Sequence, residues 1–276
     1  MIFSRYYGGR TLDAVAATVK RLDGGGMRSC VALLPGLRFR PRGVDREASR
    51  ILGILPALDS AGLKADLTVK PSQLGQRWAP ANCRAALSEI ARRAGERGAF
   101  VWIDMERARD VDRTIDDFLS LRREHENVGV CLQSYLRRTE DDLMALLRGR
   151  HPVRLVKGYF RESRADRFDT WHEVTANMKR LLGPLIAGSA RPALGTHDES
   201  VVAEAARQLA LYPRPDFEFQ LFLGAKPGLA ERLVRDGRFV RIYVPYGRLV
   251  RYFVHTLPQM DVSRNVQRVL GRPVVR

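Results

Sequence analysis

The stretch VRLVKGYF, at residues 153–160, decides how the chain can be interpreted. It starts as an apolar, β-branched run, carries Arg154 and Lys157, and then reaches Gly158. Because residues three apart face opposite sides of a strand, we expect Lys157 where the strand gives way to a loop. A cation at that point, followed by a glycine that lets backbone approach a ligand, indicates an anion or cofactor site. The alternative is a plain strand whose charges reach solvent at its tips.

The composition permits one large folded domain. The chain has 276 residues, of which 45% are hydrophobic and 28% are charged, enough for a full core. An excess of 47 Lys+Arg over 31 Asp+Glu gives a net charge of +16, which suits nucleic acid, an anionic membrane surface or phosphate-bearing ligands. The arginines are scattered beside acidic residues, however, and no basic block contains interleaved aromatics. We therefore expect no nucleic-acid partner.

The cysteines and the absence of long apolar runs indicate a location. Cys30, Cys83 and Cys131 have no paired spacing, which favours buried thiols in a reducing compartment over disulfides or zinc. Residues 1–10 lack the apolar core of a secretory signal, and no apolar run is long enough to span a bilayer. We expect a cytoplasmic protein, with peripheral membrane contact left open.

Strand-like runs alternate with helical patterns along the whole chain. Hydrophobic spacing predicts helices over 11–22, 48–61, 80–97, 111–125, 141–148, 171–187, 199–211, 229–236 and 249–270, the last broken at Pro258. Short apolar runs predict strands over 29–34, 65–70, 99–104, 128–133, the start of the opening stretch, 192–195, 217–220 and 239–244. Eight strands in strict alternation with helices predict a closed (β/α)8 TIM-type barrel, as one domain over residues 1–276.

The two ends of the predicted strands differ in polarity. The carboxyl ends carry Lys70, Asp104-Met105-Glu106, Gln133, Lys157, Thr196-His197-Asp198, Gln220 and Tyr243. The amino ends carry mostly small or apolar residues, namely Ser29, Ala65, Ala99, Val128, Val153, Pro192, Phe217 and Phe239. Taken singly, Lys70 could be a snorkelling lysine, Asp104 a helix cap and His197 a loop histidine. Because (β/α)8 enzymes carry their chemistry at the carboxyl ends of the strands, the asymmetry predicts an active site there.

The residue types at these carboxyl ends restrict the chemistry. The five histidines are isolated, so no metal site is predicted, and no nucleophile elbow, Walker loop or dinucleotide fingerprint occurs. Arg154, Lys157 and His197 suit phosphates or an electron-rich ring, and Gln133 suits the edge of a heterocycle. A redox cofactor that brings its own chemistry fits this set. A phosphosugar enzyme is the alternative, because late loops of such barrels often bind phosphate.

Several strings of sequence carry a family resemblance. They are TVKPSQLG (68–75), WIDME (102–106), GVCLQSYLRR (129–138), RLVKGYF (154–160), GTHD (195–198), FEFQ (217–220) and RIYVPYG (241–247), with YYGGRTLDAV (6–15) near the start. In order and spacing they resemble the proline dehydrogenase family over nearly the whole chain. The resemblance implies a (β/α)8 barrel with non-covalent FAD across the carboxyl ends of the strands and the last helix over the active site. It also implies oxidation of proline to Δ1-pyrroline-5-carboxylate by hydride transfer to flavin N5.

The resemblance also implies a role for individual residues. Asp104, Arg154 and Lys70 are the implied catalytic residues, with Arg154 beside N5. The implied FAD-binding residues are Met105, Gln133, Arg154, Lys157, Gly158, Tyr159, Thr196, His197 and Gln220. The implied substrate-binding residues are Lys70, Tyr243, Tyr252, His255 and Thr256. No residue is assigned to a metal.

Three places depart from the family's pattern. The family's last helix carries Tyr-x-x-Arg-Arg-x-x-Glu, whose arginines clamp the proline carboxylate, but residues 252–259 read YFVHTLPQ. Leu-Gly-Glu after the first strand becomes LPG at 34–36, and Ala-Tyr after Lys-Gly becomes Tyr159-Phe160. Losing a doubly charge-assisted contact costs about a hundredfold in affinity.

We therefore expect an FAD-dependent dehydrogenase that oxidises a C–N or N–N bond of a proline-like or other amine, and not free proline. The substrate class includes larger, esterified and carrier-bound amines. Authentic proline dehydrogenase is one alternative, and a non-catalytic relative that binds flavin or a partner is the other. No motif identifies the electron acceptor, whether quinone, oxygen or protein.

Overall fold

Eight parallel strands close into a barrel in the computed structural model, which describes residues 4–34 and 43–247. The strands are β1 (Arg28–Leu33), β2 (Asp66–Val69), β3 (Val101–Ile103), β4 (Val128–Gln133), β5 (Val153–Val156), β6 (Pro192–Gly195), β7 (Glu218–Phe222) and β8 (Phe239–Tyr246). Each strand pairs with the next in sequence, and β8 closes the barrel against β1. The predicted (β/α)8 architecture is confirmed.

Helices alternate with the strands. Those of the described residues are α1 (Leu12–Gly24), α2 (Val44–Leu52), α3 (Ile54–Asp59), α4 (Pro80–Gly95), α5 (Val111–Arg122), α6 (Thr139–Arg148), α7 (Trp171–Gly188), α8 (Glu199–Leu211) and α9 (Pro227–Arg235). α7 begins in a capping box, in which the Thr170 hydroxyl accepts from Glu173 N and the Glu173 carboxylate accepts from Thr170 N. None of the helices that the structure describes is long and apolar enough to cross a membrane.

The hydrophobic core lies between the strands and the helices. Outward-facing strand residues such as Val31, Leu67 and Leu155 are buried in one cluster with helix residues such as Val15 and Leu87. Because successive side chains of a strand point to opposite faces, the residues between them point into the barrel. The inward set is polar to an unusual degree, and its bonds link strands that are not neighbours in the sheet.

One predicted helix is two helices in the structure. The pattern over 48–61 predicts a single helix, but α2 and α3 meet at Gly53. Glycine is a poor helix former, and Pro56 has no N–H to donate to the carbonyl of Leu52, so the ladder is interrupted at this point. The apolar spacing continues across the break because both helices face the same core.

Two strands are longer than their patterns predict. β7 runs on to Phe222 and β8 to Tyr246, so Gln220 and Tyr243 lie within the strands and not at their ends. The opposite correction applies to β3, which is shorter than the predicted 99–104. The helix predicted over 249–270, and its place over the active site, lies outside the described residues.

Candidate active site

Arg154 lies inside the barrel near its carboxyl mouth. It stands on β5, and its side chain is only 3% exposed. Its Nη1 donates to Thr68 Oγ1 at 3.2 Å and to Gln220 Oε1 at 3.1 Å, and its Nη2 donates to Asp104 Oδ1. The guanidinium also lies over the ring of Trp102, 5.2 Å from its centroid. A charge that reaches solvent at a strand tip is therefore excluded for this residue.

Asp104 joins three of the predicted site residues. Its carboxylate accepts from Arg154, from Lys70 Nζ and, at 3.2 Å, from Tyr243 Oη. Lys70 also donates to Tyr243 Oη at 3.1 Å. Burial would raise the pKa of Asp104, but the Lys70 and Arg154 cations hold that pKa below its ordinary value. The carboxylate is thus ionised at neutral pH, and the structure brings all the predicted catalytic residues together.

Gln133 ends β4 beside this group with one unused hydrogen-bonding atom. Its Nε2 donates to the carbonyl of Met105 at 2.6 Å, whereas its buried Oε1 has no partner among the described residues. An orphaned buried acceptor is costly and marks a place where a ligand donor belongs. An imide N–H at the edge of a flavin's pyrimidine ring supplies such a donor, so the residues present fit that group.

Lys157, as the opening stretch predicts, comes directly after the last residue of β5. Its ammonium donates to Asp198 Oδ2 at 2.6 Å and to Thr175 Oγ1 at 2.8 Å. Burial would raise the pKa of Asp198, but hydrogen bonds from Lys157 and Ser200 hold it well below its usual range. A phosphate that contacts Lys157, as predicted, would therefore lie beside the carboxylate of Asp198.

Gly158 and Tyr159 border an aromatic cavity. Gly158 has φ +86°, and a Cβ there would lie 2.2 Å from Tyr135 Cδ1, so only glycine fits. Tyr159 stacks on Phe160 with 4.6 Å between ring centroids. Together with Tyr135 and Trp171, these residues line a small cavity that opens to solvent.

His197 is uncharged in the structure. Its Nε2 accepts a hydrogen bond from Phe222 N at 2.8 Å, which places its proton on Nδ1. Burial and the nearby Lys226 lower its pKa to about 4. The contact between His197 and phosphates stays a prediction, and the donor that His197 offers for it at neutral pH is a neutral Nδ1–H. Its neighbour Thr196 is buried and accepts from Asp198 N at 3.1 Å.

A second polar cluster, which the sequence did not predict, lies deeper in the barrel. Glu218 and Asp66 pair with Arg241 and Arg191 near the amino ends of the strands. The residues named from the sequence at the amino ends of the strands are mostly small or apolar, but the interior of the barrel near those ends is charged. A signal was present, since Glu218 and Gln220 alternate with two phenylalanines in FEFQ and so share the inward face.

Three of the implied substrate-binding residues cannot be placed. Tyr252, His255 and Thr256 lie outside the described residues, as do Pro35 and Gly36. Tyr243 and Lys70, the other two, lie together at the carboxyl mouth.

The family model described as proline dehydrogenase matches residues 15–254. Among curated relatives, proline dehydrogenase of Deinococcus radiodurans is 29% identical over 251 residues, covering 88% of this chain and 81% of that protein. Proline dehydrogenase 1 of Bacillus subtilis is 26% identical over 245 residues, with the same coverage of 88% and 81%.

Solved structures share the fold. Proline utilization A from Bdellovibrio bacteriovorus, inactivated by N-propargylglycine, superposes with a TM-score of 0.81 at 21% identity, over 90% of this chain and 31% of that one. A mutant of the Bradyrhizobium japonicum protein gives 0.77 at 20% identity, over 99% and 33%. The chain thus spans about a third of the length of these structures.

The fold, the site and the relatives together indicate the class of protein. A parallel (β/α)8 barrel with a charged carboxyl mouth, taken with these relatives, is that of an oxidoreductase acting on a CH–NH group. The match over most of the chain then gives the particular family. The chain belongs to the proline dehydrogenase family, whose members are flavin-dependent.

Proposed function

We propose that the protein uses FAD to dehydrogenate a C–N or N–N bond of an amine other than free proline. When bound, FAD would supply the oxidant, taking up the hydride that leaves the substrate carbon (or nitrogen) next to the amine nitrogen. The nitrogen loses a proton, and a double bond forms between the two atoms. The observation that carries the proposal is the buried Arg154 cation, which Asp104, Thr68 and Gln220 hold at the carboxyl mouth.

The side chains around the mouth have separable tasks in this proposal. Arg154 would present a fixed positive charge to a ring that becomes anionic on reduction, which would stabilise that charge without reorganisation. Gln133 Oε1 accepts from the flavin edge, and Met105 fixes the Gln133 amide through its carbonyl. Lys157, Gly158, Thr196 and His197 hold the phosphates and ribityl chain, while Lys70 and Tyr243 wall the substrate pocket.

The sequence of the last segment supports the choice of substrate. His255 and Thr256 stand where the family has paired arginines, so the clamp for a free carboxylate is missing. Tyr159 and Phe160 add bulk after Lys157-Gly158, beside the aromatic cavity. The missing clamp suits an amine without a free carboxylate, such as an esterified one or one attached to a carrier, or a larger amine. The proposal also includes a single barrel domain and an electron acceptor of unspecified type. It places the protein in the cytoplasm, a reducing compartment, which the three buried free cysteines support.

The test is a panel of amines monitored by flavin bleaching in anaerobic purified protein. We expect a yellow protein with an oxidised-flavin spectrum, bleached by at least one larger amine and at least about a hundredfold less efficiently by L-proline. Fast bleaching by free proline would support authentic proline dehydrogenase, the candidate that the names of the relatives favour. A colourless protein that takes up no added FAD would favour the non-catalytic relative.

A gain of function gives a second test. The double substitution His255→Arg, Thr256→Arg restores both cations of the family's clamp, so proline turnover should rise by about tenfold or more. Arg248 and Arg251 lie close to this motif in the sequence but out of register with the family's arginines, so Arg248→Gln and Arg251→Gln in the wild-type background are the matched controls. A loss of proline turnover in either control would mean that an out-of-register arginine already binds the carboxylate.

A further inference from the structure

Both polar atoms of the Gln220 side-chain amide have hydrogen-bond partners. Its Oε1 accepts from Arg154 Nη1 at 3.1 Å, and its Nε2 donates to Glu218 Oε2 at 2.8 Å. Because a carboxylate can only accept, Glu218 forces the amide nitrogen toward itself and the amide oxygen toward Arg154. Gln220 therefore presents an acceptor to the guanidinium in one orientation only.

Glu218 is itself held by two arginines. Arg241 donates to it in bidentate fashion, with Nε to Oε2 at 2.8 Å and Nη2 to Oε1 at 3.0 Å. Arg191 donates to Oε1 from Nε at 2.9 Å and from Nη2 at 2.6 Å. Glu218 is 2% exposed, and its pKa is lowered because the two cations outweigh the effect of burial. A hydrogen-bonded line thus runs from the amino end of the barrel to Arg154.

We propose that Glu218 is a positioning residue, which acts through Gln220 to hold the Arg154 guanidinium in register with the flavin. The inference rests on the proposed function, since the position of Arg154 affects the reaction only if a flavin lies beside it. The hydrogen bonds of Glu218 reach Arg154 through the amide of Gln220. Arg191 lies over the Trp102 ring that Arg154 also covers, and Asp66→Asn perturbs Arg191 too, so that variant controls for this second route.

Glu218→Gln tests the inference with Asp66→Asn as its matched control. In Glu218→Gln three donors crowd the Oε1 position, so the new amide oxygen will settle there and its NH2 will face Gln220. Gln220 must then turn its own oxygen away from Arg154 or move. Asp66 contacts the same two arginines but not Gln220, so Asp66→Asn removes a charge from the same ion pairs and leaves the line intact.

Two measurements decide the outcome. In crystals of FAD-free protein, Gln220 and Arg154 should shift in Glu218→Gln and stay in place in Asp66→Asn. In FAD-loaded protein, the affinity of sulfite for flavin N5, which depends on positive charge nearby, should fall about tenfold in Glu218→Gln and less than about twofold in Asp66→Asn. The double variant Glu218→Gln, Gln220→Glu keeps the number of buried charges, and Arg154 should return to its place.

Arg154 and Gln220 unmoved in Glu218→Gln, or moved equally by Asp66→Asn, would overturn the inference. If Glu218→Gln does not fold, Arg154 displaced in the double variant would count against it equally. A wild-type protein that binds no FAD would instead refute the proposed function, and the FAD-free crystals would still decide whether Glu218 positions Arg154.

Discussion

Asp104 compensates more buried charge than any other single carboxylate at the mouth. Arg154 and Lys70 both pair with it, and Arg154 is almost completely buried. Breaking a buried pair by removing one partner is far more costly than breaking a surface pair, because the remaining charge stays desolvated. The residues proposed for catalysis are therefore also residues on which folding depends.

Asp104→Ala should lower the free energy of unfolding by roughly 3–5 kcal/mol, since it leaves two cations without their carboxylate. Urea unfolding of FAD-free protein, followed by circular dichroism, measures the loss. Tyr243→Phe is the control, because it deletes only one hydroxyl from the same group and should cost about 1 kcal/mol. Equal losses in the two variants would show that the carboxylate does not compensate the cations.

His197 should make stability depend on pH in a defined window. Its pKa is about 4 in the folded protein, against an ordinary 6.5, so between these values only the unfolded chain binds the proton. Stability from this residue is complete above pH 6.5 and is lost as the pH falls toward 4, by up to about 3 kcal/mol. His197→Gln keeps an acceptor for Phe222 N but does not titrate, so its stability should fall less between pH 7 and pH 4. Parallel curves for the two proteins would contradict the assignment.

At the scale of elements, the end of β5 is fixed by a close approach of backbone to side chain. Gly158 and Gly62 both have positive φ, but only at Gly158 would a Cβ meet another residue, the ring of Tyr135. The strain of placing a residue with a Cβ at positive φ is common to both positions. The steric clash with Tyr135 occurs only at Gly158, in the loop that we propose lies against the cofactor.

Gly158→Ala and Gly62→Ala separate these two costs. Gly62→Ala should cost about 1–2 kcal/mol, the strain of an alanine in the left-handed region. Gly158→Ala should cost at least about 1 kcal/mol more, because Tyr135 must also move. Thermal or urea unfolding of the two variants checks the difference, and equal costs would mean that Tyr135 yields without strain.

At the scale of the whole molecule, the strands of the barrel turn apolar side chains outward to the helices and charged side chains inward. Arg241 on β8 pairs with Glu218 on β7 and Asp66 on β2, so the deep cluster ties together strands that are far apart in sequence. Arg191, just before β6, joins the same two carboxylates. The cluster thus links both sides of the barrel closure from within.

Arg241→Met should lower the free energy of unfolding by roughly 3–5 kcal/mol, because two buried carboxylates would share one arginine. Arg92→Met is the control, since Arg92 pairs with Glu89 and Glu96 on the exposed face of α4, and its loss should cost less than about 1 kcal/mol. Chemical denaturation measures both. A loss in Arg241→Met no larger than in the control would show that the interior pairs add nothing to stability.

The sequence by itself determined the barrel, the mouth that carries the candidate site and most of the residues proposed for it. Outward-facing strand positions and helix faces repeat apolar residues at periods of two and 3.6, and those periods are local properties of the chain. Lys70, Asp104 and Tyr243 could be named because each stands at or near the carboxyl end of such a run, and Arg154 because it is a cation inside one. Their individual roles were implied by the family resemblance. The prediction of a single helix over 48–61 was wrong, because Gly53 and Pro56 interrupt the backbone hydrogen bonds without changing the apolar spacing.

Only the tertiary structure decided which polar groups meet inside the barrel, and in which state. Closure brings Thr68, Arg154 and Gln220 within hydrogen-bond reach although they come from β2, β5 and β7, and no local pattern encodes that distance. The Lys70 and Arg154 cations keep Asp104 ionised in spite of its burial, whereas burial and the nearby Lys226 keep His197 neutral. Local periodicity selects the face on which a side chain stands, whereas the energy of a buried charge depends on all its neighbours at once.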